Sequence, residues 1–274
     1  MNATSRTSQS PVVEVQGLSK QYGSGPAALD GVDLRVPEKQ MLILLGHSGA
    51  GKSTLLRHIN GLERPGAGSV HVLGKDVTAL RGRELRELRG SIGMIFQQFD
   101  LVGSLSSVEN VMTGALGRLR GPRLGVLSYG RRLRDQAFSL LDEVGMLDRA
   151  HQRADTLSGG QQQRVAIARA LMQQPRILLA DEPVASLDPE SSRQIMTLLH
   201  SIRASHGLTV VCSLHQVSLA LEWGERVVGM RAGRIVLDKP AGELTVGTVS
   251  GLYQGSAEPG TETALEPTPS RPSR

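Results

Sequence analysis

Residues 41–60 read MLILLGHSGAGKSTLLRHIN. The first five residues, Met41 to Leu45, are apolar on both faces, which suits a strand buried inside a parallel sheet. The next eight, Gly46, His47, Ser48, Gly49, Ala50, Gly51, Lys52 and Ser53, fit the pattern GxxxxGK[ST]. A helix is predicted to open at Thr54 and run to Asn60. Strand, glycine-rich loop and helix together are the context in which this pattern cradles phosphate. The glycines let backbone N–H groups turn inward onto anionic oxygens, and the helix N-terminus adds a favourable field. Lys52 is placed to reach the β- and γ-phosphates of a nucleotide and the Ser53 hydroxyl to meet Mg²⁺. The cradle is taken to continue through Thr54. Chance alone gives such a match on the order of one per cent of the time at ordinary glycine usage, and the flanking strand and helix lower that further.

Short alternating segments surround this unit. Val12–Val15, Val32–Val36 and Val70–Leu73 show period-two patterning with Gly and Pro between them and read as antiparallel strands. Ile92–Phe96, Ile177–Ala180 and Thr209–Leu214 return to strand-like runs, and Val227–Met230 and Arg234–Leu237 read as closing strands. From about Leu101 to Leu157 the pattern changes, with Leu133, Ala137, Leu140, Leu141 and Val144 at helical spacing. Asp188 followed by Pro189 is an N-cap with proline at the first helical position, and Ile195, Leu198, Leu199 and Ile202 give that helix an apolar face. The expected fold is α/β, a phosphate-loop core with an antiparallel β-subdomain and an inserted helical subdomain at about 101–157. Residues 1–11 read as a flexible arm and 12–246 as one domain. Residues 247–274, rich in Pro, Ser, Thr and Glu, read as disordered because they bury too little apolar surface to offset ordering entropy.

Composition bounds the function. The chain has 274 residues and a net charge of +5. Aromatics make up 3% of the chain, too few for the stacking platforms of single-strand binders, so specific nucleic-acid binding is not expected. The one cysteine, Cys212, cannot form an internal disulfide, and a reducing compartment is the default. No secretory leader is evident, and no run reaches the ~18 apolar residues of a membrane-spanning helix. Any work at a membrane is expected to pass through a partner.

A second chemical constellation ends the run Arg176–Pro183. Asp181 and Glu182 stand at the end of a strand that reads as buried. In phosphate-loop ATPases a strand-end Asp helps hold Mg²⁺, which assigns that task to Asp181. Glu182 is then poised to orient or deprotonate the attacking water. An acidic pair at a helix start is common, and the phosphate cradle is what favours the catalytic reading.

The third motif is Leu157-Ser158-Gly159-Gly160-Gln161, a Ser-Gly-Gly turn before a helix predicted over Gln162–Gln173. It offers a second phosphate-binding helix N-terminus, from Ser158, Gly159, Gly160 and Gln161. One ATP does not need two such cradles from one chain, so this one is expected to serve the ATP of another copy. With this motif between the cradle and the acidic strand, the sequence resembles the ATP-binding cassette family over roughly residues 12–246. The resemblance implies that Tyr22 stacks on adenine, that Gln97 senses Mg²⁺ and contacts the transport partner, that the loop Ser186-Leu187-Asp188 crosses a dimer interface, and that His215 contacts the γ-phosphate. It implies two copies closing head to tail over two ATP molecules, Glu182, His215 and Lys52 acting in catalysis, and Ser53, Gln97 and Asp181 around Mg²⁺.

Within that family FQQFDLV (96–102), ENVMTGALGR (109–118), ADEPVASLDP (180–189) and SLHQVSLA (213–220) resemble the ATP-binding subunits of phosphonate importers. The chain departs from their pattern at Ser213 and Asp100, where Asn is expected at each, and at Gly103-Ser104. The resemblance implies import of phosphonate or a related phosphorus oxyanion. It further implies integral-membrane permease subunits, an indirectly coupled solute-binding protein, and a peripheral location on the cytoplasmic face of the inner membrane. A cassette for amino acids or methionine, and a non-transport cassette, are the alternatives. A phosphate-loop kinase or GTPase would not account for the LSGGQ turn with Gln97 and His215 in this order. The stretch Arg118–Arg134, with six arginines and no acid, is a candidate contact for permease or lipid or else a solvated loop.

Overall fold

The computed structural model describes residues 11–118 and 130–249. Along the chain run β1 (Val13–Gln21), β2 (Ala27–Val36), β3 (Met41–Leu45), α1 (Lys52–Ile59), β4 (Ala67–Val72), β5 (Lys75–Asp76), α2 (Gly82–Gly90), β6 (Ile92–Ile95), α3 (Ser107–Thr113), α4 (Arg131–Glu143), α5 (Gly159–Leu171), β7 (Ile177–Asp181), α6 (Pro189–His206), β8 (Thr209–Leu214), α7 (Val217–Trp223), β9 (Arg226–Arg231) and β10 (Arg234–Pro240). The first four outer strands form an antiparallel sheet in the order β2-β1-β4-β5. The other sheet has the order β10-β9-β3-β8-β7-β6 and is parallel except at the β10 edge.

The apolar runs explain the layering. In β3, Met41, Ile43 and Leu45 face one apolar cluster while Leu42 and Leu44 face another. The same alternation divides Leu178 and Ala180 from Ile177 and Leu179 in β7, and Val210, Cys212 and Leu214 from Val211 in β8. The parallel sheet is thus covered on both faces, which is what continuous apolar strands require. One cover holds residues of α3, α4, α5 and α6, and the other holds residues of α1 and the antiparallel sheet. Among the described residues no helix is long and apolar enough to cross a membrane.

Helix ends follow local chemistry. Asp188 caps α6, its carboxylate accepting from the N–H groups of Glu190 (3.1 Å) and Ser191 (2.9 Å), with Pro189 inside the first turn. Ser106 and Glu109 form a reciprocal capping box at α3. Behind that cap Asn110 is fully buried, accepting from Val102 N–H (2.8 Å) and donating to the carbonyls of Val102 (3.1 Å), Leu105 (3.3 Å) and Ser106 (3.1 Å). It fixes the loop that leads from β6 into the helices. Asn110→Ala leaves the Val102 N–H without its acceptor and opens a small cavity, while the carbonyls of Val102, Leu105 and Ser106 each keep a backbone donor; the loss is about 2–3 kcal/mol. Thermal unfolding is expected to shift down by about 5–10 °C.

The structure refines several sequence-based boundaries. β1 continues to Gln21, well past Val15, because register shifts between Val15 and Lys20 break the alternation without ending the pairing. α1 begins at Lys52 and α5 at Gly159, each earlier than the apolar periodicity indicates, since the glycine-rich turns themselves enter the helix. Order continues beyond residue 246: residues 246–249 are helical and Val249 is fully buried against the core. Of the basic stretch, Arg118 bonds Gln174 and Arg131 faces Asp135 at 3.9 Å, while Arg120 and Arg123 lie outside the described residues. So do most of the sequence-predicted arm and tail.

Candidate functional site

The site is assembled at the carboxyl ends of three adjacent parallel strands, β3, β8 and β7. Their register aligns Leu45 with Leu214 and Asp181 with Ser213, so the chain leaves all three strands at one level. Such a rim is where open α/β sheets place their ligands.

From β3 the chain enters the loop Gly46–Gly51. Gly51 stands at φ 101°, and a Cβ there would lie 2.4 Å from the Ala28 carbonyl oxygen. A Cβ on Gly46 would lie 2.6 Å from the Met230 carbonyl oxygen. Both positions therefore demand glycine, one for conformation and closeness, the other for closeness alone. The loop folds back over the start of α1 and is tied there by Lys52. The buried ammonium donates to the carbonyls of Gly46 (2.8 Å) and His47 (3.1 Å) and meets Glu182 Oε1 at 3.2 Å. To engage phosphate oxygens Lys52 has to exchange that carboxylate for them.

The acidic pair divides sharply. Asp181 ends β7, and its Oδ1 accepts from the Ser53 hydroxyl (2.9 Å) and from the Ser213 hydroxyl (2.8 Å). Glu182 turns out of the strand at φ 49°, in the left-handed region that non-glycine residues enter at a cost. The turn swings its carboxylate toward the rim. There Oε1 lies 3.2 Å from Lys52 Nζ and 3.2 Å from His215 Nδ1, and Oε2 accepts from Gln97 Nε2 at 3.0 Å. Three residues named from the sequence, on three different segments, thus converge on a fourth.

The oxygens of Ser53 and Asp181 suit a hard divalent ion. Mg²⁺ is held through one or two carboxylates with substrate phosphates and water completing its shell. Among the described residues no cluster of three His, Cys, Asp or Glu side chains offers an all-protein cage.

Tyr22 lies at the end of β1, about half exposed, with its hydroxyl bonded to Glu63 and Lys20 Nζ 5.3 Å from the ring centroid. Burial and the Glu63 carboxylate raise the pKa of the phenol, and Thr54 at the start of α1 is also among its polar neighbours. The adenine-stacking candidate is therefore beside the cradle.

The Ser-Gly-Gly turn is elsewhere. Ser158 caps α5 in a reciprocal box with Gln161 (3.0 and 3.4 Å) and is exposed. Ser158, Gly160 and Gln161 border an open groove of about 390 Å³ with Arg149, Arg164 and Ser191, and no residue of the Gly46–Ser53 loop lines it. A Cβ on Gly159 would sit 3.5 Å from the Leu187 side chain, so the Ser186–Asp188 loop flanks the same turn. The structure brings Lys52, Ser53, Gln97, Asp181, Glu182 and His215 together, while Ser158, Gly160 and Gln161 border a groove that none of those six lines, with Gly159 beside Leu187 and Asp188 capping the helix whose Ser191 lines the groove.

Two residues that motif reading passes over take part. Ser213, noted only as a departure from pattern, links Asp181 to the backbone N–H of Glu182 (2.8 Å). Arg169, on α5, donates to the carbonyls of Phe99 (2.8 Å) and Asp100, holding the loop after Gln97. The signal for Ser213 was a hydroxyl near the carboxyl end of a buried strand whose other residues after Thr209 are apolar, where a polar group must find partners.

A phosphate cradle after one strand, an Asp–Glu pair at the end of the strand two places away and a serine on the strand between them, bonded to that Asp, define a phosphate-loop nucleoside triphosphatase. Comparison with known proteins narrows the class. A family model described as ABC transporter matches residues 29–185. The chain is 60% identical over 232 residues to the phosphonates import ATP-binding protein PhnC of Frankia casuarinae, covering 85% of this chain and 91% of that one. It is 54% identical over 243 residues to the phosphate-import ATP-binding protein PhnC of Mycolicibacterium smegmatis, covering 89% and 92%. Among solved structures, the dimeric post-hydrolysis state of the ATP-binding cassette MJ0796 bound to ADP and Pi superposes with a TM-score of 0.75 at 35% identity, over 84% of this chain and 98% of that chain. The chain belongs to the ABC transporter family and is an ATP-binding cassette ATPase.

Proposed function

We propose that this chain is the ATP-hydrolysing subunit of an importer for phosphonates or closely related phosphorus oxyanions. It works as a pair of copies on the cytoplasmic face of the membrane, attached through integral-membrane permease subunits and served by a solute-binding protein. The observation that carries the ATPase mechanism is the convergence of Lys52, Gln97 and His215 on the Glu182 carboxylate, at 3.2, 3.0 and 3.2 Å. It supports the following roles. Backbone N–H groups of residues 47–53 and the N-terminus of α1 receive the phosphates. Tyr22 stacks on the base. Lys52 moves from Glu182 to the β- and γ-phosphate oxygens. Ser53 and Asp181 would hold Mg²⁺, with Gln97 sensing it; when bound, the ion would neutralise charge on the phosphate oxygens. Glu182 takes the proton of the water that attacks the γ-phosphorus, and His215 holds the γ-phosphate and the carboxylate in line.

The second copy completes the site. The face carrying Ser158, Gly159, Gly160, Gln161 and Asp188 lies apart from the chain's own cradle, which supports a head-to-tail pair in which the turn of each closes over the ATP of the other. The γ-phosphate then holds the pair shut until hydrolysis releases it.

The solute is assigned by kinship. The 60% identity to a phosphonates import protein supports phosphonate, and the 54% identity to a phosphate-import protein supports phosphate as the second reading. Reconstitution with its permease and binding protein in liposomes, followed by uptake of labelled alkylphosphonate, phosphate, methionine and a polar amino acid, separates these. Uptake of a phosphorus oxyanion driven by ATP is expected, and uptake of methionine or an amino acid instead would discard the solute assignment.

A further inference from the structure

Ser213 is fully buried, in the central strand between the phosphate-loop strand and the acidic strand. Register places it directly beside Asp181. Its hydroxyl uses both of its capacities on that neighbour and the next residue, donating to Asp181 Oδ1 and accepting from the Glu182 N–H, each at 2.8 Å. Glu182 has left the strand at φ 49°, so its N–H has turned away from the sheet ladder and takes a side-chain acceptor instead. Asp181 Oδ1 in turn accepts a second hydroxyl, from Ser53 at 2.9 Å. One oxygen atom therefore bridges the carboxylate that faces the metal position and the backbone of the residue that carries the water-activating carboxylate.

We propose that Ser213 is a positioning residue for hydrolysis: it sets the Asp181 carboxylate toward the metal and holds the Glu182 backbone in the left-handed turn that aims its carboxylate at the attacking water. This rests on the roles assigned above to Asp181 and Glu182. An active-site group displaced by about 1 Å loses on the order of a hundredfold in rate, so a bridge touching both carboxylate residues reaches turnover without touching substrate. Losing the hydroxyl frees the Glu182 turn to relax and leaves Asp181 with one hydroxyl donor. Nucleotide binding, made by the Gly46–Ser53 loop and Tyr22, is left nearly intact.

The test uses the full chain with Ser213→Ala, Ser213→Cys and Ser213→Asn, beside Glu182→Gln. Cysteine keeps the shape of serine with a much weaker hydrogen-bonding group, so it reports if the alanine variant misfolds. Asparagine supplies both a donor and an acceptor. Expected are a fall in kcat of about tenfold or more for Ser213→Ala and Ser213→Cys, with KM for ATP within about threefold of the original, and recovery to within about threefold of the original kcat in Ser213→Asn. A fluorescent ATP analogue gives a readout apart from turnover: the gain in affinity on adding Mg²⁺ is expected to shrink about threefold in Ser213→Ala and return in Ser213→Asn. Unchanged turnover and unchanged Mg²⁺ gain in Ser213→Ala, beside an inactive Glu182→Gln, would overturn the proposal and leave the Glu182 reading standing. Equal losses in the alanine and asparagine variants would overturn it too, as a purely steric requirement. If Glu182→Gln turns over normally, the base reading fails by itself. The Mg²⁺ gain then decides the Asp181 half, a diminished gain supporting it and an unchanged one overturning it.

Discussion

Glu182→Gln is expected to lower ATP hydrolysis by at least about a hundredfold, the scale of a lost general base, while ATP binds as tightly as before or more tightly. The geometry requires both halves of this result. The amide keeps the size and the hydrogen-bonding edge of the carboxylate, so contacts with Gln97 and His215 can persist. It cannot accept the proton of the attacking water. The substitution also removes a negative charge 3.2 Å from Lys52, where the carboxylate competes with phosphate oxygens for the ammonium. Single-turnover hydrolysis and equilibrium nucleotide binding measure the two halves separately. Turnover near the original rate would move the base to another residue.

Ser158→Arg is expected to abolish steady-state hydrolysis, again by about a hundredfold or more, with ATP affinity of the single chain unchanged within about threefold. Ser158 is exposed, and its hydroxyl accepts from the N–H of Gln161 in its own helix. Losing an N-cap costs about 1 kcal/mol, too little to unfold a domain of this size, so the large effect has to come from what docks on the turn. A guanidinium there fills the space that a second copy's phosphates would enter. If the single chain loses ATP binding as well, the turn serves its own nucleotide and the paired arrangement fails.

The parts of this molecule that the sequence states openly are those in which one residue type has one physical job. The run Met41–Leu45, apolar on both faces, suits a doubly covered strand, and Asp188 before Pro189 offers the N-cap of a helix. The glycines at 46 and 51 are forced by carbonyl oxygens of Met230 and Ala28 that lie far off in sequence, yet the pattern reveals them because nothing else fits. Other features depend on through-space neighbours and left little trace. The left-handed turn at Glu182 is invisible in Ala-Asp-Glu-Pro, since no glycine marks it. Asn110 looks like any helix-surface amide until the loop from Val102 to Ser106 folds around it. Ser213 draws notice only as a departure from pattern, although it bonds both acidic residues. The register shifts in β1 hide half of that strand behind Gly17 and Ser19.

The composite site is the central claim, and the mass of the particle in solution tests it most directly. Light scattering of Glu182→Gln with EDTA should give the single-chain mass of 29.3 kDa. With Mg²⁺ and ATP it should give twice that mass, and adding Ser158→Arg to the same chain should return it to the single-chain value while ATP remains bound. A chain that stays single with ATP, or a pair that forms as readily with Ser158→Arg, would contradict the account.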